Sequence, residues 1–298
     1  MEGSDVFGRL STGLAFVRNP AIARRVVLVV LDGLRPDAIP TFSLDTIRAL
    51  ALSGAFTSSA TTVSPSVTAA CMASVMCGVN PDRHGVTSTR FHIPRQKEPV
   101  YPMPELLRSA GMPTSSFMGE VPFLCRGIAK RIAKRVGIGR ATFRGRDSTT
   151  VLAAARDTLR TQLEGLVVLH WPEVDAAGHA HGWMSDAYAG AATTMDRSLA
   201  DLAGIIDVNA CSDTLLIALA DHGGGGAIET DHDSDHPLDR TIPILLAGAG
   251  IEPGTMLPGA SLLDVPATVL RALGVEQPAS YDGRPLVESA AEVALAAV

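Results

Sequence analysis

Apolar positions in this chain gather into short unbroken runs. Val26–Leu31 (VVLVVL), Gly165–His170 (GLVVLH), Thr214–Ala220 (TLLIALA) and Thr241–Ala247 (TIPILLA) are almost wholly apolar. Such runs predict parallel strands covered on both faces. Two weaker runs, Ala55–Val63 and Thr114–Met118, read the same way. Segments of helical period alternate with them: Leu44–Leu52, Val67–Cys77, Met103–Ser109, Thr149–Leu163, Asp186–Ile206 and Leu263–Leu273. The alternation predicts an α/β fold with a mostly parallel central sheet and helices on both faces. No repeat or low-complexity linker interrupts it, so we expect one domain over residues 24–287. Residues 1–23 and the Ala-rich tail are expected to be peripheral.

Ligands of open α/β sheets collect beyond the carboxyl ends of the strands. Here those ends carry Asp32-Gly33, then SPSVTAAC, then WPEVDAAGHAHG, then ADHGGGGAIETDHDSDHP. One such aspartate is an ordinary cap or turn residue; four polar strand ends together suit a metal site. Zinc takes imidazole nitrogen and carboxylate oxygen together. Asp175 and His179 are four apart, so a helix puts both on one face, while His181 points away. Asp221 and His222 are adjacent at a turn. Gly223–Gly226 would let the backbone approach a metal or phosphate without side-chain clash. The connection from Asp221 to Thr241 has no clear structure of its own, which favours a functional loop. A helix opening near Ser64-Pro65 offers Ser64, Ser66 and Thr68 as hydroxyls beside free N–H groups. Spacing alone does not choose among the three.

Composition narrows the classes. The 298 residues are 46% hydrophobic and 19% charged, with formal net charge −6, which argues against a general nucleic-acid binder. One stretch opposes the mean: residues 126–146 hold eight Lys/Arg and no acid. It reads as a solvated helix and loop, or as an anionic-surface contact near the site. Cys71, Cys77, Cys125 and Cys211 form no CxxC pair and read as reduced core residues. No run is long enough to cross a membrane, and no signal-peptide pattern opens the chain, so a cytoplasmic protein is expected. The oligomeric state is not legible. His84 in its PDRHG turn reads as a structural hydrogen-bonder, and Trp171 and Trp183 as packing residues.

In order along the chain stand LDGLRPD, SPSVTAACMASVMCGVNPDRHGV, DAAGHAHG, ADHGG and DRTIPILLAGAGI. Together they resemble the alkaline phosphatase superfamily, in its type I phosphodiesterase/nucleotide pyrophosphatase branch. The resemblance implies an alkaline phosphatase-like three-layer sandwich without a large cap domain. It implies two divalent cations, zinc first and manganese second. One would be held by Asp32, Asp221, His222 and the nucleophile, the other by Asp175, His179 and His232, with His236 the competing last ligand. It implies Thr68, ten residues before Gly78, as the nucleophile of a phosphoester hydrolase passing through a phospho-threonine. Phosphomonoester or phosphonate hydrolysis by the same site is the alternative, and a non-catalytic binding protein of the same fold a further one. The chain departs from the branch where an Asn should bind phosphate. Ala69 and Ala70 stand there, with Asn80 and Arg90 nearby. A C/S-x-P-x-R segment of the sulfatase kind is absent.

Overall fold

The structure, a computed structural model, describes residues 19–88, 98–208 and 213–288. In chain order its elements are β1 (Arg25–Leu31), α1 (Ala38–Thr41), α2 (Asp45–Ser53), β2 (Ala55–Thr61), α3 (Thr68–Cys77), α4 (Pro81–His84), α5 (Met103–Ser109) and β3 (Thr114–Met118). A 3-10 turn (Phe123–Cys125) then leads into α6 (Arg126–Arg135), β4 (Arg140–Phe143), α7 (Ser148–Thr161), β5 (Gly165–Trp171), α8 (Glu173–His181) and α9 (Asp186–Ile206). The chain continues through β6 (Thr214–Leu219), α10 (Pro237–Arg240), β7 (Thr241–Gly248), β8 (Thr255–Met256) and α11 (Asp264–Ala272).

The eight strands among the described residues join one sheet in the order β4-β3-β5-β1-β6-β7-β2-β8. The central strands β1, β5 and β6 are buried along their whole length. Helices α2, α7 and α9 pack together on one face, and α3, α5 and α11 on the other. The three-layer alkaline phosphatase-like arrangement is therefore present. Among the described residues no helix is long and apolar enough to cross a membrane.

β7 departs from the sequence reading. It was expected to be parallel, yet it runs antiparallel to both β6 and β2. Its unbroken apolar run reports burial on both faces, and burial carries no information about direction. The reversal has a consequence for the site. The chain leaves β6 at its carboxyl end and re-enters the sheet from the same edge, so loop 220–240 stays beside the ends of β1, β2 and β5.

Two further differences concern elements. Helix α3 begins at Thr68 with Val67 as its cap residue, not at Ser64-Pro65. The basic stretch, read as helix and loop, folds as α6 followed by the edge strand β4, whose residues are half-buried or exposed. Segment 19–24 is tied to the end of α11 by bonds from Asn19, Ile22 and Ala23 to Gly274 and Ala272 carbonyls. Cys71 and Cys77 are buried as expected, but Cys125 is exposed in the turn before α6. Arg90 and Cys211 lie outside the described residues.

Candidate metal centre

The carboxylates are aimed by the backbone around them. Asp221 Oδ1 accepts N–H bonds from Gly33 at 3.3 Å and from His222 at 3.1 Å. Its other oxygen, Oδ2, is buried without a hydrogen-bond partner. Asp32 follows β1 directly; its Oδ2 lies 3.1 Å from His170 Nε2, and its Oδ1 lies 3.3 Å from His222 Nε2 without a proper hydrogen bond. The Asp175 N–H donates to Asp32 O at 3.1 Å, which docks the start of α8 on the end of β1. Gly33, at φ +72°, is needed there, because a Cβ would come within 2.9 Å of the Asp175 backbone. Asp175 and His179 share one face of α8, with Oδ1 and Nε2 3.5 Å apart. Asp175 Oδ1 is a third buried oxygen without a partner.

The three histidines are oriented the same way. Nδ1 of His222 faces Gly223 O at 2.9 Å, that of His179 faces Thr230 O at 2.8 Å, and that of His232 faces Ser66 O at 2.7 Å. A carbonyl only accepts, so each Nδ1 carries a proton and each Nε2 turns toward the aspartates. His232 Nε2 lies 3.7 Å from Asp175 Oδ1, and its ring stacks on His222 at 3.7 Å. Ser66 closes the arrangement by donating from Oγ to His232 O at 2.5 Å.

Of the three candidate hydroxyls, Thr68 is the one at the cluster: its Oγ1 lies 3.1 Å from His222 Nε2. Ser66 is turned to His232, and Ser64 to Asp235 at 3.3 Å. Thr68 is the first residue of α3, so its own N–H and that of Ala69 have no acceptor within the helix.

Charge in this crevice is unbalanced without a cation. Burial, then the neighbouring Asp32, pushes Asp221 up to about 6 and Asp175 up to about 7. Burial also acts to raise Asp32, but His170 and His222 hold it far below the usual carboxylate range. Burial disfavours a charged His222, yet Asp221 and Asp32 push it up to about 10. His232 falls to about 4 through burial and the positive charge on His222. The carboxylates thus draw a proton into the place a metal ion would fill. Two ligand groups lie within binding reach, Asp32–Asp221–His222 and Asp175–His222–His232, and a third joins His179, Asp231 and His232. Orphaned buried oxygens, with imidazole Nε2 atoms turned toward them, are a donor set that fits zinc or manganese once the proton on His222 is displaced.

All seven side chains expected at the site therefore sit around one crevice. His236, the competing ligand, is outside it: its Nδ1 accepts the Leu238 N–H at the start of α10. Asn80 is also outside, bonded to Asp282 beyond the far end of α3. The glycines of the late loop act differently from expectation. A Cβ on Gly224 would stand 2.1 Å from the Trp183 indole, and one on Gly223 would stand 2.0 Å from Leu238 O. Their close approach is to the protein itself. Trp183 is a wall of the site, edge-on to His179 and donating to Gly33 O at 3.0 Å. The sequence reading missed His170 and Asp231. An imidazole closing a buried apolar strand must find a partner, and that was the signal for His170. Asp231, exposed in the loop, gave none.

From His170 a cleft of about 640 Å³ opens along the ends of β3, β4 and β5. Glu120, Arg126, Phe143, Arg146 and Pro172 line it.

A mostly parallel sheet with acids and imidazoles gathered beyond its strand ends marks an alkaline phosphatase-like α/β protein. The profile of the type I phosphodiesterase / nucleotide pyrophosphatase family matches residues 26–107 and 110–243, and the chain belongs to that family. Among solved structures, murine ectonucleotide pyrophosphatase / phosphodiesterase 5, an inactive form in complex with AMP, superposes with TM-score 0.67 at 12% identity, covering 87% of this chain and 97% of that one. The C-terminal periplasmic domain of EcEptC from Escherichia coli, in complex with Zn, gives 0.64 at 14% identity over 89% and 86%. These identities show the fold alone. Phosphopentomutase of Edwardsiella ictaluri is 33% identical over 99 residues, 33% of this chain and 22% of that protein. The 2,3-bisphosphoglycerate-independent phosphoglycerate mutase of Listeria monocytogenes is 26% identical over 140 residues, 46% and 26% respectively. The chain thus matches about a quarter of the length of these curated relatives.

Proposed function

We propose that this chain is a metal-dependent phosphoester hydrolase of the phosphodiesterase/nucleotide pyrophosphatase type, with Thr68 as nucleophile. The observation that carries it is the position of the Thr68 hydroxyl, which lies beside His222 where buried, unpartnered carboxylate oxygens converge. Asp32, Asp221, His222 and Thr68 would hold one divalent cation, and Asp175, His179 and His232 the other. Zinc is the first choice for this imidazole–carboxylate set, and one structural neighbour holds Zn. When bound, the cations supply positive charge that lowers the proton affinity of the Thr68 hydroxyl and offsets charge on the attacking and leaving oxygens.

The chain's own groups do the rest. Thr68 Oγ1 forms a bond to phosphorus as the bond to the leaving oxygen breaks, giving phospho-threonine and the departing alcohol or phosphate. Water then cleaves the phosphorus–threonine bond and regenerates the hydroxyl. The N–H groups of Thr68 and Ala69 are free to hold a non-bridging oxygen, in place of the Asn the family branch uses. The cleft that reaches His170 is the place we assign to the leaving group of a diester. The mutase relatives support a second reading, in which a substrate alcohol replaces water as acceptor.

Thr68→Ala tests the assignment. Turnover of an aryl phosphodiester should fall by at least about a thousandfold, while elemental analysis still finds bound metal. Wild-type turnover in that variant would remove Thr68 from its role. Phosphate release compared with transfer to added sugar alcohols separates the two readings.

A further inference from the structure

We propose that α6 and the turn before it form a docking surface for an anionic lipid bilayer. The inference is independent of the reaction assigned to the crevice. Among the described residues seven large apolar side chains are exposed, and three of them fall within nine residues: Leu124 at 88%, Ile128 at 47% and Ile132 at 50%. Ile128 and Ile132 are four apart on α6 and share one face, and Leu124 is exposed in the turn that leads into it.

Helix α6 turns its small residues inward instead. Ala133 is its buried residue and Ala129, four before it, is half-buried. The helix therefore rests on the protein through alanines and leaves its isoleucines in water. Arg131 and Arg135 stand three residues beyond Ile128 and Ile132 and border the stripe. Lys130 and Lys134 carry the exposed basic surface further round the helix, beyond the arginines. Between 126 and 146 there is no carboxylate, in a chain whose formal net charge is −6.

An apolar stripe edged by cations fits a bilayer interface. The side chains enter the acyl boundary while Lys and Arg meet anionic headgroups. A nucleic acid would satisfy the charges but leave the isoleucines and Leu124 without a partner. A protein partner would need an acidic groove with apolar pockets, and a second copy of this basic helix would repel the first.

The test is co-sedimentation of the full chain with vesicles of pure phosphatidylcholine and with vesicles containing roughly one-third phosphatidylglycerol. Binding should be about tenfold tighter to the anionic vesicles. In Ile128→Asn/Ile132→Asn that binding should fall about tenfold, with heparin retention, circular dichroism and soluble-substrate turnover unchanged. Should that variant fail to fold, Arg131→Glu/Arg135→Glu is to lose the preference for anionic vesicles. Equal binding to both vesicles, no binding, or an unaffected Asn variant would overturn the proposal. So would tighter association with duplex RNA or DNA than with vesicles, or an isoleucine-dependent dimer.

Discussion

Asp221 shows how one side chain is divided between fold and chemistry. Its Oδ1 is fixed by two backbone N–H groups, while its Oδ2 is buried and unpartnered beside Asp32. Removing the negative charge but keeping the shape should relieve the crowding that pushes this carboxyl up. In chelator, Asp221→Asn is therefore expected to be more stable than wild type by about 1–2 kcal/mol. In excess zinc the order should reverse, because an amide is a poorer ligand than a carboxylate. Thermal melts of both proteins with chelator and with zinc read this directly, and a variant less stable under both conditions would show that Asp221 is a structural residue. The same residue shows what sequence could and could not supply. Position after an apolar strand placed Asp32 and Asp221 at the right edge of the sheet. Which oxygen is held and which is free depends on Gly33, far away in sequence.

Elements show the same division. Helices α3 and α4 are locked by His84, whose Nδ1 accepts the Val86 N–H at 3.1 Å and whose Nε2 therefore donates to Ser74 Oγ at 3.0 Å. Only the neutral imidazole makes both bonds. Burial accordingly brings its pKa from 6.5 down to about 4. The unfolded chain takes up this proton more readily than the folded one, so the group's stabilisation is complete above about pH 6.5 and is lost as pH falls toward 4. We expect about 2–3 kcal/mol from this source. His84→Gln, which does not titrate, should flatten the urea-midpoint profile between pH 6.5 and 4.5 by that amount. Parallel profiles for the two proteins would exclude His84 as the source. The PDRHG turn alone suggested a structural histidine. Other element-level features were hidden: a four-residue edge strand rich in polar groups, RATF, has no run to detect, and β7 conceals its direction because both its faces are covered. Helix α3 begins after Val67 because the Ser66 hydroxyl and carbonyl are both committed to His232. That contact spans 166 residues of sequence and leaves no local trace.

On the scale of the whole molecule, the crevice joins segments that the chain connects only through the core. Asp32 follows β1, Thr68 opens the helix after β2, Asp175 and His179 lie after β5, and Asp221, His222 and His232 come from the loop between β6 and β7. Cations held among them would bind the folded chain and not the unfolded one, so metal should appear as global stability. At a free concentration about a thousand times Kd, one site adds about 4 kcal/mol. For a chain of 298 residues that corresponds to about 6 °C in Tm. Chelation should lower the Tm by this order, and zinc or manganese alone should restore it. The Asp32→Ala variant should show a smaller metal response although it lies outside the His-rich loop. That variant distinguishes a cage built from several strand ends from a loop that binds metal by itself. If the loop alone were responsible, Asp32→Ala would keep the full metal-dependent rise in Tm, and the convergence of strand ends would serve packing and not cation binding.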